Sequence, residues 1–105
     1  MQRTEVPADL LKSVKNYLNI TWSDPATDDN VRGMIASASV YLDGKGGGTL
    51  DYEEDGIPRT LLMEYVRYMR DSALDVFESN YTALILGMQN ERLIQNVEST
   101  DTPEG

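Results

Sequence analysis

The sequence predicts an all-α fold, a small bundle of about four helices. Apolar residues recur at three- and four-residue spacing in four segments, which is the period of an amphipathic helix. The segments are separated by stretches rich in turn-forming residues. A chain of 105 residues with 40% apolar residues can build one modest core but not two. We therefore expect one helical domain at 1–97 with a loop excursion at 43–57, followed by a disordered tail at 98–105.

The composition excludes several classes of function. The chain has no histidine and no cysteine, which removes Ser-His-Asp, Cys-His and zinc-hydrolase designs and all disulfides. A net charge of -9 opposes the phosphate neutralisation on which tight DNA binding depends. With a mean hydropathy of -0.44 and no long apolar run, nothing is predicted to span a membrane. The N-terminus lacks the basic-then-apolar layout of a secretory signal. We expect a soluble, non-enzymatic protein without cofactor or metal.

The first helix is predicted from about Pro7 to Leu18. Pro7 suits the first turn, and Asp9 favours the helix N-terminus. One face carries the apolar residues, Leu10, Leu11, Val14, Tyr17 and Leu18. We interpret this face as a contribution to the core.

The second helix follows a connection in which Asp24-Pro25 predicts a chain reversal and Thr27 or Asp28 a cap. Its apolar positions are Val31, Met34, Ile35, Ala38, Tyr41 and Leu42. Gly33 and Ser37 have small side chains on another side of this helix, so a neighbouring backbone can approach closely there. That neighbour is either a helix of the same bundle or a second subunit. Trp22, just before this helix, either plugs the end of the bundle or anchors an interface.

The segment DGKGGGTLDYEEDGIP, from Asp43 to Pro58, predicts that the chain leaves the bundle, because consecutive glycines disfavour a packed helix. A long excursion in a small domain usually has a function. We expect either a flexible acidic loop or a short β-hairpin at 49–52. Its charged residues are Lys45, Asp51, Glu53, Glu54 and Asp55.

Two ligand motifs fit this segment poorly. A calcium-hand loop starting at Asp43 would close on Glu54, but its third and fifth ligand positions are Lys45 and Gly47, which supply no side-chain oxygen. The glycines also lack the spacing and the final Lys-Ser/Thr of a phosphate-binding loop. No calcium or nucleotide is therefore predicted here.

The third helix is predicted from Pro58 to about Glu78, with a broad apolar stripe that makes it the central core element. Arg67 and Arg70 form the one dense basic pair in the second half of the sequence, and with Glu64 or Asp71 they suit a solvated ion-pair ladder. After the candidate caps Ser79 and Asn80, a fourth helix is expected to continue to about Val97.

The order of these elements resembles a known family. The segments that carry the resemblance are NYLNI, DPATDD, VRGMIASASVYLDG, GIP, LLMEYVRYMRDSALDVF and YTALILGMQNERL. Together they look like the head-tail connector, or head-completion adaptor, proteins of long-tailed bacteriophages and prophages. The resemblance covers roughly 7–95 and depends on helix order and on the Ile35-Ala36-x-Ala38-x-x-Tyr41-Leu42 run. The chain departs from it in lacking a clearly basic surface.

The resemblance implies a subunit that joins others in a closed ring, a dodecamer on the portal, after DNA packaging. Such a ring extends the DNA channel without sequence-specific contacts and meets the tail or stopper protein at the head-tail junction of the virion, after assembly in the host cytoplasm. The 44–56 loop would line or gate the channel, and 86–105 would dock on the portal. Candidate subunit or portal contacts are Trp22, Gly33, Ser37, Arg67, Arg70 and Arg92.

Two other classes share these features. The first is an acidic helical adaptor or regulator that binds one basic protein partner and forms no ring. The second is a carboxylate-dependent enzyme using the acids at 51–55, but the sequence offers them no paired base or nucleophile. Oligomeric state, and whether the gene lies among capsid and tail genes, distinguish the ring subunit from the adaptor.

Overall fold

The computed structural model describes the backbone of residues 1–101 and the side chains of 1–91 and of Leu93. It contains four α-helices, α1 (Ala8–Tyr17), α2 (Pro25–Gly46), α3 (Ile57–Arg70) and α4 (Phe77–Asp101), and 3-10 turns at Arg3–Glu5 and Leu74–Val76. All regular structure in 1–101 is helical, which confirms the all-α prediction. The segment 47–56 is a loop in which no strand forms, so the hairpin alternative is not adopted.

α2 and α3 each pack against the other three helices. The predicted apolar faces of α1 and α2 are mostly buried, but Met34 and Tyr41 are only partly buried and Tyr17 is exposed. Aromatic rings fill the space between α2, α3 and the start of α4, where Tyr65 stacks on Tyr41 at 4.8 Å and meets Phe77 edge-on at 5.0 Å. The largest fully buried side chains are Phe77, Leu10, Ile35, Leu42, Leu61, Leu62 and Met88.

α2 begins earlier than the sequence predicted. Its N-cap is Asp24, whose carboxylate accepts a hydrogen bond from the Thr27 backbone N–H at 3.0 Å, and Pro25 occupies the first turn, where its missing N–H costs nothing. The predicted caps Thr27 and Asp28 are therefore helical residues. Trp22 is 50% exposed and donates to the Thr27 hydroxyl at 3.3 Å. It does not plug the bundle.

α2 also ends later than predicted, because it continues through Gly44 and Gly46. Gly46 is buried under Leu50, and a Cβ there would lie 3.0 Å from both Leu50 methyl groups. The absence of a side chain lets the loop pack onto the last turn of the helix. Gly47 then ends α2 in the left-handed region at φ 79°, and the Gly48 N–H donates to the Asp43 carbonyl at 3.0 Å, a common glycine C-cap arrangement.

The predicted third helix is two elements. α3 ends at Arg70, and Ser72 adopts a left-handed φ of 57°, which an α-helix cannot contain. The chain turns there, with the Ala73 N–H donating to the Tyr68 carbonyl at 2.8 Å. α4 starts at Phe77 and has non-helical angles at Tyr81, next to the predicted caps Ser79 and Asn80.

α4 extends to Asp101. The predicted tail at 98–105 therefore begins within this helix, and 102–105 lie outside the described residues. Within the described part of the chain, none of the helices is both long enough and apolar enough to cross a membrane.

Candidate protein interaction site

The loop at 47–56 is attached to α2 through Asp43. The carboxylate oxygen Oδ1 of Asp43 accepts the Tyr52 hydroxyl at 2.5 Å and the Leu50 backbone N–H at 3.1 Å. The same hydroxyl lies 3.2 Å from the carbonyl oxygen of Ser39. Burial, and then the hydrogen bond to Asp43, raise the pKa of Tyr52. Asp43 thus holds the loop in place. This anchoring role was not predicted from the sequence.

The loop alternates buried and exposed residues. Leu50 and Tyr52 are 7% and 3% exposed, whereas Asp51, Glu53, Glu54 and Asp55 face solvent. The segment is an acidic loop, and Leu50 and Tyr52 fasten it to the core. We call the four outward carboxylates, Asp51, Glu53, Glu54 and Asp55, the acidic edge.

Arg59 of α3 closes the other end of the loop. Its Nη1 donates to the carbonyl oxygens of Tyr52 at 3.0 Å and of Glu53 at 3.4 Å, and its Nε lies 4.0 Å from the Asp55 carboxylate. Within the loop, Asp51 Oδ1 accepts the Glu53 N–H at 2.9 Å. The guanidinium therefore binds mainly backbone and leaves most of the negative charge of the acidic edge uncompensated.

A surface cleft of about 510 Å³ lies between the acidic edge, the start of α3 and the side of α4. Its apolar lining comes from Leu50, Ile57, Pro58 and Met88, and its carboxylates from Asp51, Glu54, Asp55 and Glu91. Among the described residues that line it, none is basic. We call this the acidic cleft. An alkyl chain with a cationic end, as in lysine or arginine, matches both its surfaces.

The carboxylates of the described residues are not grouped as a metal site. No cluster of three or more potential ligands occurs in that part of the chain.

Lys45, which the sequence placed in the loop, belongs to the last turn of α2. Its Nζ lies 3.0 Å from Glu78 Oε1 and 5.5 Å from the centre of the Tyr41 ring. The Tyr41 hydroxyl donates to Glu78 Oε2 at 2.7 Å, and this bond, followed by the contact with Lys45, lowers the pKa of Glu78. Lys45 thus links α2 to α4 and takes no part in the acidic edge.

The described residues that were predicted to form an interface do not all lie on one surface. Gly33 is covered by the Arg3 guanidinium, with Arg3 Nη2 only 2.5 Å from where a Cβ would be, so its small size serves a contact within the chain. Ser37 is exposed. Arg67 pairs with Glu64 at 2.5 Å, and Arg70 Nη1 donates to the Leu18 carbonyl at the end of α1, at 2.7 Å.

Two of the predicted interface residues share a pocket. Trp22 and Arg70 both line a shallow pocket, together with Ile20, Thr27, Asn30, Val31 and Met34. The Arg92 side chain lies outside the described residues. Three exposed apolar residues are Val40, Leu86 and Leu93, whose accessible fractions are 66%, 53% and 60%. Leu86 and Leu93 belong to the segment 86–105 that was expected to dock on the portal, whereas Val40 was not predicted to lie in an interface.

Comparisons of the chain with protein families, with curated proteins and with solved structures found no match.

Proposed function

We propose that this protein is a structural, non-enzymatic assembly subunit, and that its place is the head-tail connector of a tailed bacteriophage. The observation that carries the proposal is the acidic edge, in which four carboxylates are held outward by a loop anchored at Asp43, Tyr52 and Arg59. An anchored row of negative charge repels phosphate. It is suited to a channel through which DNA must pass without being retained.

In this proposal, copies of the chain form a closed ring beneath the portal, with the acidic edge at the lumen and the tail or stopper protein on the opposite side. A ring requires contact between two different faces of the subunit. Away from the acidic edge, one surface available for such a contact is the pocket containing Trp22, near the end of α1.

The proposal is tested by mixing the purified chain with the portal protein encoded in the same phage or prophage and imaging the product by electron microscopy. A ring of additional density beneath the portal, coaxial with its channel, is the expected result. A portal that stays bare at saturating amounts of the chain would oppose the connector assignment.

A second candidate is an adaptor that binds one basic protein and forms no ring. The acidic cleft favours it, because apolar groups and carboxylates line the same space. Under this function, the double variant Glu54→Gln/Glu91→Gln would weaken binding of a lysine- or arginine-containing peptide, and added salt would weaken it further. The control Asp71→Asn/Asp75→Asn removes the same charge from exposed residues outside the cleft.

A further inference from the structure

α4 carries apolar residues on two opposite sides. The inner side supplies Phe77, Tyr81, Leu84, Ile85 and Met88 to the core or its margin. The outer side presents Ala83, Leu86, Asn90 and Leu93, all exposed, with Leu86 at 53% and Leu93 at 60%. At about 100° per residue, the two sets lie roughly half a turn apart around the helix. The fold itself makes no use of the outer side.

The outer residues follow the spacing of a coiled coil. The steps from Ala83 to Leu86, to Asn90 and to Leu93 are three, four and three residues, and Val97 is the next position in the sequence. In heptad terms Ala83, Asn90 and Val97 occupy a, while Leu86 and Leu93 occupy d. Leucine at d with a single asparagine at a is typical of paired parallel helices. We call Ala83, Leu86, Asn90 and Leu93 the α4 seam.

The charge distribution identifies what can cover the α4 seam. The chain has a net charge of -9, so two copies repel each other over most of their surfaces. The flanking e and g positions are uncharged in the sequence, namely Thr82, Gly87, Gln89, Ile94 and Asn96. A second copy can therefore approach along this stripe without placing like charges opposite one another. A seam selected for a basic partner helix would carry acidic residues at these positions.

We propose that α4 pairs with α4 of a second copy of this chain, in parallel and in register. In that register each Asn90 faces its equivalent, so that one amide donates and the other accepts. A shifted register would set the amide against an apolar residue and leave its polar atoms unpaired. The seam spans only about one and a half heptads, or about two with Val97, so the pair is weak and depends on concentration.

The pairing goes beyond the connector proposal and does not require it. A two-fold pair joins the same face of two subunits, whereas a ring joins two different faces. The two contacts are thus separable: pairs without rings would support the inference alone, and rings formed by a chain that shows no pairing through the α4 seam would overturn the inference and leave the connector proposal standing.

The test is sedimentation equilibrium of the full chain and of the variant Leu86→Glu/Leu93→Glu. We expect a monomer-dimer equilibrium for the unchanged protein, and a dissociation constant raised at least tenfold in the variant. Val40→Glu is the matched control, because Val40 is a 66% exposed apolar residue on α2. It should dimerise like the unchanged protein. Circular dichroism establishes that each variant is folded.

Cross-linking gives a second measurement, which does not depend on the Leu86→Glu/Leu93→Glu variant being folded. The chain has no cysteine, so an introduced cysteine is the only one available for cross-linking. Asn90→Cys should form a disulfide-linked dimer on oxidation. A mixture of Leu86→Cys chains and Leu93→Cys chains should yield homodimers in preference to mixed dimers, because each position faces its own equivalent in the parallel register. A preference for mixed dimers would overturn the parallel register. A chain that is monomeric at every concentration, or a Leu86→Glu/Leu93→Glu variant that dimerises normally, would overturn the pairing.

Discussion

The Tyr52 hydroxyl and the Asp43 carboxylate, nine residues apart along the chain, meet at 2.5 Å across the glycine turn that ends α2. This bond connects the last turn of α2 to the middle of the acidic segment. It explains how a stretch with three consecutive glycines holds a row of carboxylates outward. The position of the acidic edge thus depends on one buried phenol and its carboxylate partner.

Removing that phenol should destabilise the fold. Tyr52→Phe keeps the ring but deletes the hydrogen bond to the Asp43 carboxylate. Loss of such a bond should lower the free energy of unfolding by about 2 kcal/mol. Urea unfolding measures this change. Tyr17→Phe, which removes an exposed hydroxyl, is the control, and an equal loss in both variants would show that the Asp43 contact contributes nothing particular.

The same bond should shape the response to alkaline pH. Burial and the hydrogen bond to Asp43 raise the pKa of Tyr52 in the folded state above the unfolded value of about 10. The protonated phenol therefore contributes its full stability below a pH of about 10, and this contribution is lost as the pH rises further. Tyr52→Phe lacks this contribution, so its stability should fall less steeply above pH 10 than that of the unchanged protein. Parallel curves would contradict the assignment.

The glycines around the end of α2 should respond to alanine in opposite directions. Gly44 is helical with open space around it, so Gly44→Ala should raise the free energy of unfolding by about 0.5–1 kcal/mol. Gly47 has φ 79°, where an alanine costs about 1–2 kcal/mol. Gly46→Ala should also destabilise, because its Cβ would press on Leu50. Thermal or urea unfolding of the three variants gives the signs, and a destabilising Gly44→Ala would contradict the extended helix.

Arg70 should matter more for stability than its neighbour Arg67. Arg70 donates to the Leu18 carbonyl and so satisfies the end of α1, and Arg70→Ala should cost about 1 kcal/mol. Arg67 is exposed and pairs with Glu64 one turn earlier on the same helix, a type of contact that contributes little. Urea unfolding of Arg70→Ala and Arg67→Ala compares them. A larger loss for Arg67→Ala would show that the α1 contact is unimportant.

Neutralising the acidic edge should alter passage of DNA if the ring proposal holds. Glu53→Gln/Glu54→Gln removes two exposed charges and leaves the Asp51 turn and the Arg59 contacts intact, so phage carrying it should eject DNA more slowly because phosphate is repelled less. Phage with Asp71→Asn/Asp75→Asn should eject normally. If phages carrying each of the two double variants eject DNA at the normal rate, the acidic edge does not line the lumen.

Much of the fold was predictable from periodicity. The buried faces of α1 and α2 and the number of helices follow from apolar spacing, which local sequence records directly. The end of α2 was not predictable in this way, because Gly46 remains in the helix where Leu50, four residues further on, packs against it. The break after Arg70 was also missed, since Ser72 in a left-handed conformation has no strong sequence signal.

The candidate site was less accessible to prediction. The acidic residues were recognised, but their arrangement depends on long-range partners, and a carboxylate such as Asp43 resembles any loop acid until its Tyr52 contact is seen. Lys45 and Gly33 were assigned to outer surfaces because spacing cannot reveal that Glu78 and Arg3 cover them. The α4 seam follows a spacing visible in the sequence, but only the packing of Tyr81 and Met88 shows that it faces outward.

The connector function requires copies of this chain to assemble into a closed ring. Sedimentation velocity over a wide concentration range in near-physiological salt, alone and with the portal protein, would detect such a ring, and electron microscopy of the large species would show its shape. The expected result is a discrete species of fixed size with a central hole. Sedimentation that never exceeds a dimer under either condition would contradict the ring and leave the adaptor function as the better explanation of the acidic cleft.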